Sequence, residues 1–138
     1  MNETLSRRAF LRALTVLGAA SLLPPAADAQ APPRRFVPVG KVTSFPHGAT
    51  KLVTLPGGDA VFVRRVSAKT DASAFHVLSA HCTHKDCVVA WNAHARQFHC
   101  PCHGGRFDAQ GRNIAGPPPS PLPSLPAKVA GGLVLVGV

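Results

Sequence analysis

Short apolar runs rich in valine and leucine recur along the chain after residue 23, and polar residues, glycine and proline separate them. No long stretch there repeats apolar residues at helical spacing. Alternation over a few residues between turn formers is typical of strands. The pattern therefore predicts an all-β, antiparallel domain with strands at residues 36–42, 50–55, 60–66, 74–79, 88–91, 96–100, 127–130 and 133–136.

Turn sequences fit between these strands. Pro-Gly-Gly-Asp at 56–59 joins the second strand to the third, and Ala-Gly-Gly at 130–132 closes a terminal hairpin. Residues from about 80 to 121 interrupt the regular pattern with two loops and shorter strands. We therefore expect a small subdomain inserted into a larger β structure.

The N-terminal segment has the layout of an export signal. Ser-Arg-Arg-Ala-Phe-Leu-Arg at 6–12 precedes an apolar run at 13–23, and Ala-Asp-Ala at 27–29 offers a cleavage site. The basic motif resembles the Ser-Arg-Arg-x-Phe-Leu-Lys signal of the twin-arginine route. Because that route carries proteins already folded around a cofactor, the segment predicts a bacterial, periplasmic protein.

The same segment bears on membrane attachment. Crossing about 30 Å of hydrocarbon takes about 20 apolar residues. The run at 13–23 is shorter, and Pro24-Pro25 stops a helix from extending it. We expect cleavage after Ala29 to leave a domain of residues 30–138, rather than retention of residues 1–29 as an anchor to the cytoplasmic membrane.

The expected mature domain is strongly basic. From residue 30 onward it has twelve lysines and arginines against four aspartates. A basic surface can attract nucleic acid, anionic lipid or an acidic protein. Export disfavours nucleic acid, and the charges are scattered. Steering of an acidic partner and ordinary solvation of strand faces are therefore both retained as interpretations.

Cysteine and histidine cluster in two motifs, Cys-Thr-His at 82–84 and Cys-Pro-Cys-His-Gly at 100–104. Four cysteines allow three disulfide connectivities. Two thiolates and two imidazoles suit a 2Fe-2S cluster with unlike irons, but the same donors also suit tetrahedral zinc. Zinc sites usually pair Cys with Cys and His with His along the chain. A zinc-stabilised binding module and a disulfide-only domain are therefore the disfavoured alternatives.

Both motifs closely resemble those of the Rieske iron-sulfur proteins. The resemblance implies one 2Fe-2S cluster held by two cysteines on one iron and two histidines on the other. Its ligands would be Cys82, Cys100, His84 and His103. His81 and His99 each precede a ligand cysteine, and we expect them to point away because neighbours on an extended chain alternate in direction.

The resemblance also implies a bridge and a fold. High-potential members close a disulfide between the remaining loop cysteines, here Cys87 and Cys102. The family fold is an antiparallel β-sandwich with an inserted cluster-binding subdomain, here at about 80–121. Three stretches look particularly like the Rieske proteins of cytochrome bc complexes, at 88–92, 107–112 and 116–119.

A proline-rich segment follows the second motif. In the family that segment covers one side of the cluster, a role that would fall here to Gly116, Pro117 and Pro118. The alternative is that residues 117–126 form only a polyproline connector.

Three departures from the family pattern change the functional expectation. Gly105 and Phe107 stand where quinol-oxidising members carry serine and tyrosine, whose hydroxyls donate to sulfur. Hydrogen bonds to sulfur tune the potential, so their loss should lower it within the Rieske range of about −150 to +300 mV. Lys85 and Asp86 also replace an apolar loop tip, and burying such charges without partners is costly.

These features predict an extracytoplasmic one-electron carrier that turns over no substrate alone. The first hypothesis is the iron-sulfur subunit of a quinol-oxidising, cytochrome bc-like complex, with a cytochrome b-like partner and a c-type cytochrome as acceptor. The second is a soluble Rieske subunit of a molybdenum oxidoreductase such as an arsenite-oxidase-like enzyme. Membrane contact would come through the partner or a retained signal anchor.

Overall fold

The structure is a computed structural model that describes residues 34–138. The predicted export motif, the apolar run and the expected cleavage site lie outside the described residues. Within residues 34–138, no helix has the length and apolar character needed to cross a membrane.

Residues 34–138 form short strands joined mostly by turns, with two single-turn 3-10 helices at Val42–Ser44 and Ala72–Ala74. The strands are β1 (Phe36–Lys41), β2 (Thr50–Thr54), β3 (Ala60–Arg65), β4 (Phe75–Ser79), β5 (Ala90–Asn92), β6 (Gln97–His99), β7 (Arg106–Asp108), β8 (Asn113–Ala115), β9 (Ser124–Leu125), β10 (Ala127–Ala130) and β11 (Leu133–Gly137). They pair in three antiparallel sheets with the orders β1-β11-β10, β2-β3-β4-β9 and β5-β6-β7-β8. The predicted all-β, antiparallel fold is confirmed.

Strand β3 is the centre of the packing because both of its faces are covered. Val61 and Val63 point into one core, shared with Val134 and Val136 of the β1-β11-β10 sheet. Phe62 points the other way, into a second core shared with the β5-β6-β7-β8 sheet. Such two-sided burial explains why the first four residues of the strand, Ala-Val-Phe-Val, are a continuous apolar run.

The second core carries the cysteine motifs. Phe98 and Phe107, on adjacent strands β6 and β7, are fully buried there beside Cys82 and Cys100. The rings of Phe62 and Phe98 pack with centroids 4.8 Å apart. The cysteines therefore sit on a rigid aromatic layer attached to the larger sheet.

The structure corrects several predicted strand limits. The predicted strand 88–91 starts later, at Ala90, because Val88 only bridges to His81. Strands β7, β8 and β9 were not predicted, since two or three residues are too few to show alternation. Because β9 pairs with β4, residues 117–126 are more than a polyproline connector.

Arg64 links the base of the domain to the cysteine-bearing sheet. Its buried guanidinium donates through Nη1 to the Ala109 carbonyl and through Nε to Thr50 Oγ1 at 3.1 Å. The same group lies 4.8 Å from the centroid of the Trp91 ring. One side chain on β3 therefore contacts both the β7–β8 turn and β5.

Replacing Arg64 by leucine is expected to destabilise the protein by about 2–4 kcal/mol, because it leaves a buried carbonyl unpaired and removes a cation–π contact. Denaturant unfolding of the holoprotein measures the change. The matched control is Arg112→Leu, which removes an exposed ion pair with Asp108 and should cost less than about 1 kcal/mol. Equal costs for the two variants would contradict the linking role.

Candidate metal centre

The first motif forms a closed loop after β4. The Cys82 N–H donates to the Cys87 carbonyl at 2.8 Å, and the Asp86 N–H donates to the Cys82 carbonyl at 2.9 Å. Asp86 has a positive φ of 58°, a conformation that aspartate tolerates better than most residues. These bonds leave Cys82 buried at the base of the loop, with Lys85 and Asp86 exposed at its tip.

The second motif forms the hairpin between β6 and β7. The Cys100 N–H donates to the Gly105 carbonyl at 2.7 Å, and the Gly104 N–H donates to the Cys100 carbonyl at 3.1 Å. Gly104 adopts a φ of +72°, which favours glycine. The turn buries Cys100 while Cys102 and His103 remain exposed.

The four cysteines divide into a bonded pair and a free pair. Cys87 and Cys102 form a disulfide that joins the two loops, as the resemblance implied. Cys82 and Cys100 are free thiols, with 3% and 1% of their surface exposed. The bridge holds together the two loops that carry the buried thiols.

The free thiols lie in a site that disfavours an uncompensated thiolate charge. Burial raises the pKa of Cys82, and the Cys100 thiol within hydrogen-bonding reach raises it further. The backbone N–H groups of His84 and Lys85 lower the pKa of Cys82 and so oppose that rise. A pair of adjacent, buried thiolates needs a cationic centre between them, which iron would supply.

Two imidazoles, one from each loop, face each other. The rings of His84 and His103 meet edge to face with centroids 4.8 Å apart. The Nδ1 atom of His84 is buried and has no hydrogen-bond partner within residues 34–138. An unpaired buried nitrogen is costly, and a metal would satisfy it. The donor set therefore fits a 2Fe-2S cluster.

The two histidines that precede the cysteines have other surroundings. His81 Nε2 accepts from the Ala60 N–H at 3.3 Å, and its Nδ1 lies 3.3 Å from both the carbonyl and a carboxylate oxygen of Asp86. His99 is exposed on the face of β6 opposite the buried Phe98. Both arrangements agree with the expected alternation.

The segment after β8 packs against both loops. Thr83 Oγ1 donates to the Ser120 carbonyl at 2.7 Å, which attaches the segment to the first loop. A Cβ on Gly116 would lie 2.8 Å from the Gly105 Cα, so the segment touches the second loop backbone to backbone. The Thr83–Ser120 bond was not predicted, because two residues 37 positions apart leave no pattern in the sequence.

The residues that depart from the family pattern have different surroundings in the structure. A Cβ on Gly105 would lie 2.6 Å from Pro118 Cγ, so the buried proline ring occupies the place of a side chain there. Phe107 is fully buried in the aromatic layer. Lys85 and Asp86 are exposed, and Asp86 pairs with His81.

Removing the bridge with the double substitution Cys87→Ser/Cys102→Ser is expected to lower the free energy of unfolding by about 2–4 kcal/mol, the usual effect of losing a disulfide. Thermal and denaturant unfolding of the holoprotein measure it. The double variant avoids an unpaired thiol that could bond elsewhere. Unchanged stability would mean that the bridge adds nothing to the packing of the two loops.

Comparison with known proteins gives a consistent picture. The sequence model described as the Rieske [2Fe-2S] domain matches residues 35–126. The cytochrome b6-f complex iron-sulfur subunit of Parasynechococcus marenigrum (strain WH8102) is 40% identical over 83 residues, which are 60% of this chain but only 46% of that protein. The subunit of the same name from Chlorobaculum thiosulfatiphilum is 31% identical over 140 residues, which cover 94% of this chain and 74% of that protein.

Among solved structures, the chain resembles the cyanobacterial plasma membrane Rieske protein PetC3 from Synechocystis PCC 6803. The TM-score is 0.60 and the identity 29%, over 74% of this chain and 99% of that one. The Sulfolobus acidocaldarius Rieske protein II soluble domain gives the same TM-score at 16% identity, and shows the shared fold alone.

Proposed function

Because the chain belongs to the Rieske [2Fe-2S] domain family, we propose that it is the iron-sulfur subunit of a quinol-oxidising, cytochrome bc-like complex. It is a Rieske electron-transfer protein, homologous to the iron-sulfur subunits of such complexes. The observation that carries the proposal is the edge-to-face contact of two imidazoles, one of them exposed, on the two loops that also carry two buried free thiols.

The four proposed ligands differ in their distance from solvent. Cys82 and Cys100 would hold one iron in the dry core, while His84 and His103 would hold the other near solvent. The cluster, when bound, accepts and returns one electron at a potential that the histidine ligands raise. Since His84 Nδ1 is the buried, unpaired atom, Nε2 is left to accept a proton or hydrogen bond from an electron donor.

The chain also sets the environment of the bound sulfur. The backbone N–H groups of His84 and Lys85 lower the pKa of Cys82, so they stabilise negative charge on its sulfur and favour the reduced state. Gly105 and Phe107 provide no hydroxyl. We therefore propose a potential below that of relatives with both hydroxyls.

Partners and location rest on several supports. The b6-f subunits among the relatives favour a cytochrome b-like partner. The acceptor that we propose with it is a c-type cytochrome. The twin-arginine motif favours export to the periplasm, and a disulfide suits an oxidising compartment. Membrane contact would come through the partner or a retained signal segment.

A second function has one specific observation in its favour. Lys85 and Asp86 place charges at the tip of the first loop, where docking into an apolar quinol pocket would require desolvation. A soluble Rieske subunit of a molybdenum oxidoreductase would meet no such cost. That partner class is the alternative proposal.

An EPR-monitored redox titration of the full-length holoprotein is expected to give a Rieske-type signal, with a midpoint within about −150 to +300 mV. Reduction of the protein by a quinol analogue, with a midpoint anywhere in this range, would support the bc-like assignment. A low midpoint without reduction by quinol would favour the molybdenum-enzyme alternative. A purified protein with zinc and no iron signal would contradict both.

A further inference from the structure

Three sulfur atoms lie together on one side of the metal centre. The Sγ atoms of Cys87, Cys100 and Cys102 are all within 4.8 Å of one another. Two of them form the loop disulfide, and the third is a free thiol. A free thiol beside a disulfide is the arrangement from which thiol–disulfide exchange starts.

The three cysteines differ in exposure. Cys100 is buried, Cys87 is partly buried and Cys102 is exposed. Cys82, although also free, is not in this group of sulfurs. The structure therefore singles out Cys100 as the thiol beside the bridge.

We propose that the loop disulfide migrates from Cys87–Cys102 to Cys87–Cys100 whenever Cys100 is not held by iron. This proposal rests on the ligand role proposed for Cys100. The Cys100 thiolate attacks the Cys87 sulfur and forms a new S–S bond. The old bond breaks, its electron pair leaves on the Cys102 sulfur, and the proton lost by Cys100 ends on Cys102. One disulfide replaces another, so no oxidant or reductant is consumed.

The direction of attack follows from the two possible products. Attack on Cys102 would close a ring between residues separated only by Pro101, whose φ is restricted. Attack on Cys87 instead releases the exposed Cys102, whose thiolate is solvated as it leaves. The Cys87–Cys100 isomer is therefore the expected product.

The consequence is an order of assembly. The migrated isomer has lost one of its two buried thiols, so it cannot hold the cluster through both cysteines. Iron bound to Cys100 removes the attacking group and locks the Cys87–Cys102 pairing. Because migration removes part of the apoprotein from the binding-competent form, cluster insertion is expected to be most complete before the disulfide is closed or after the bridge is reduced.

The test uses two alkylating labels on the full-length protein. Apoprotein, freed of iron and sulfide by a chelator and desalting without oxygen, is incubated for minutes to hours, the time that uncatalysed disulfide rearrangement takes. Free thiols are then blocked with N-ethylmaleimide, disulfides are reduced, and the released thiols are blocked with iodoacetamide. Tryptic peptide 97–106 contains both Cys100 and Cys102. Fragment masses therefore report which of the two carries each label.

We expect N-ethylmaleimide labelling of Cys102 to rise with time in the apoprotein, and labelling of Cys100 to fall by the same amount. In the holoprotein neither labelling should change. Cys100→Ser should abolish the rise, and the matched variant Cys82→Ser should retain it. If N-ethylmaleimide labelling of Cys100 stays constant throughout the incubation, the proposal is overturned. A loss of N-ethylmaleimide labelling from Cys82 equal to that from Cys100 would also overturn the proposal, because general unfolding would then explain the exchange. The EPR titration of the holoprotein tests the proposed function separately.

Discussion

Replacement of Cys100 or His103 by alanine is expected to remove iron and the EPR signal from the protein, whereas replacement of His99 is expected to leave both in place. Cys100 offers a buried thiol beside Cys82, and His103 offers an imidazole beside His84. His99 lies on an exposed strand face. Removing a ligand should cost more than the about 10–100-fold in metal affinity that removing an outer-shell partner costs.

His99→Ala is the matched control because it also deletes an imidazole, from a residue only four positions before His103. Iron content per chain and the EPR spectrum of the purified variants measure the effect. The unfolding midpoint should also fall in the ligand variants alone, because metal binding contributes to folding. If His99→Ala lost its iron while His103→Ala kept it, the proposed ligand assignment would be wrong.

Much of the fold could be predicted because its base consists of strands long enough to show a pattern. Strand β3 was predicted within one residue, since its first four residues, Ala-Val-Phe-Val, are apolar and Pro-Gly-Gly-Asp precedes it. Strand β7, Arg-Phe-Asp, has one buried residue between two polar ones, which resembles any loop. Its strand character comes from pairing with β6 and β8, and those contacts are not encoded locally.

The metal centre likewise has features that could be predicted from the sequence and features that could not. The Cys and His motifs are contiguous, so their chemistry could be inferred from spacing, and the family resemblance implied the Cys87–Cys102 bridge. Arg64 gave no such signal, because its partners Ala109 and Trp91 are distant in sequence and one of them is a backbone carbonyl. Contacts from a side chain to a distant backbone group impose no residue type on the partner.

Replacing Gly116 by alanine is expected to destabilise the holoprotein by about 2–5 kcal/mol, from left-handed backbone strain and overpacking together. Gly116 has a φ of +88°, and a Cβ there would lie 2.8 Å from the Gly105 Cα. The neighbour is backbone of the second loop, so the loop itself must shift. Denaturant unfolding measures the stability, and the EPR spectrum should change because the loop carries Cys100 and His103.

Gly132→Ala separates the two causes. Gly132 has a similar φ of +73°, but a Cβ there meets nothing within 4 Å. It should therefore show only the backbone cost of about 1–2 kcal/mol, with an unchanged EPR spectrum. Similar losses and unaltered spectra in both variants would mean that the segment does not press on the second loop.

The close approach at Gly105 predicts a different response to a second substitution. Gly105 has no left-handed strain, and the nearest atom to its Cβ position belongs to the ring of Pro118. Truncation by Pro118→Ala should therefore relieve most of the cost of Gly105→Ser, with a coupling of about 0.5–3 kcal/mol between the two positions. The same truncation should not rescue Gly116→Ala, because the obstructing atoms there are backbone. If Pro118→Ala did restore the stability of Gly116→Ala, the obstruction at Gly116 would come from the proline ring and not from the backbone of the second loop.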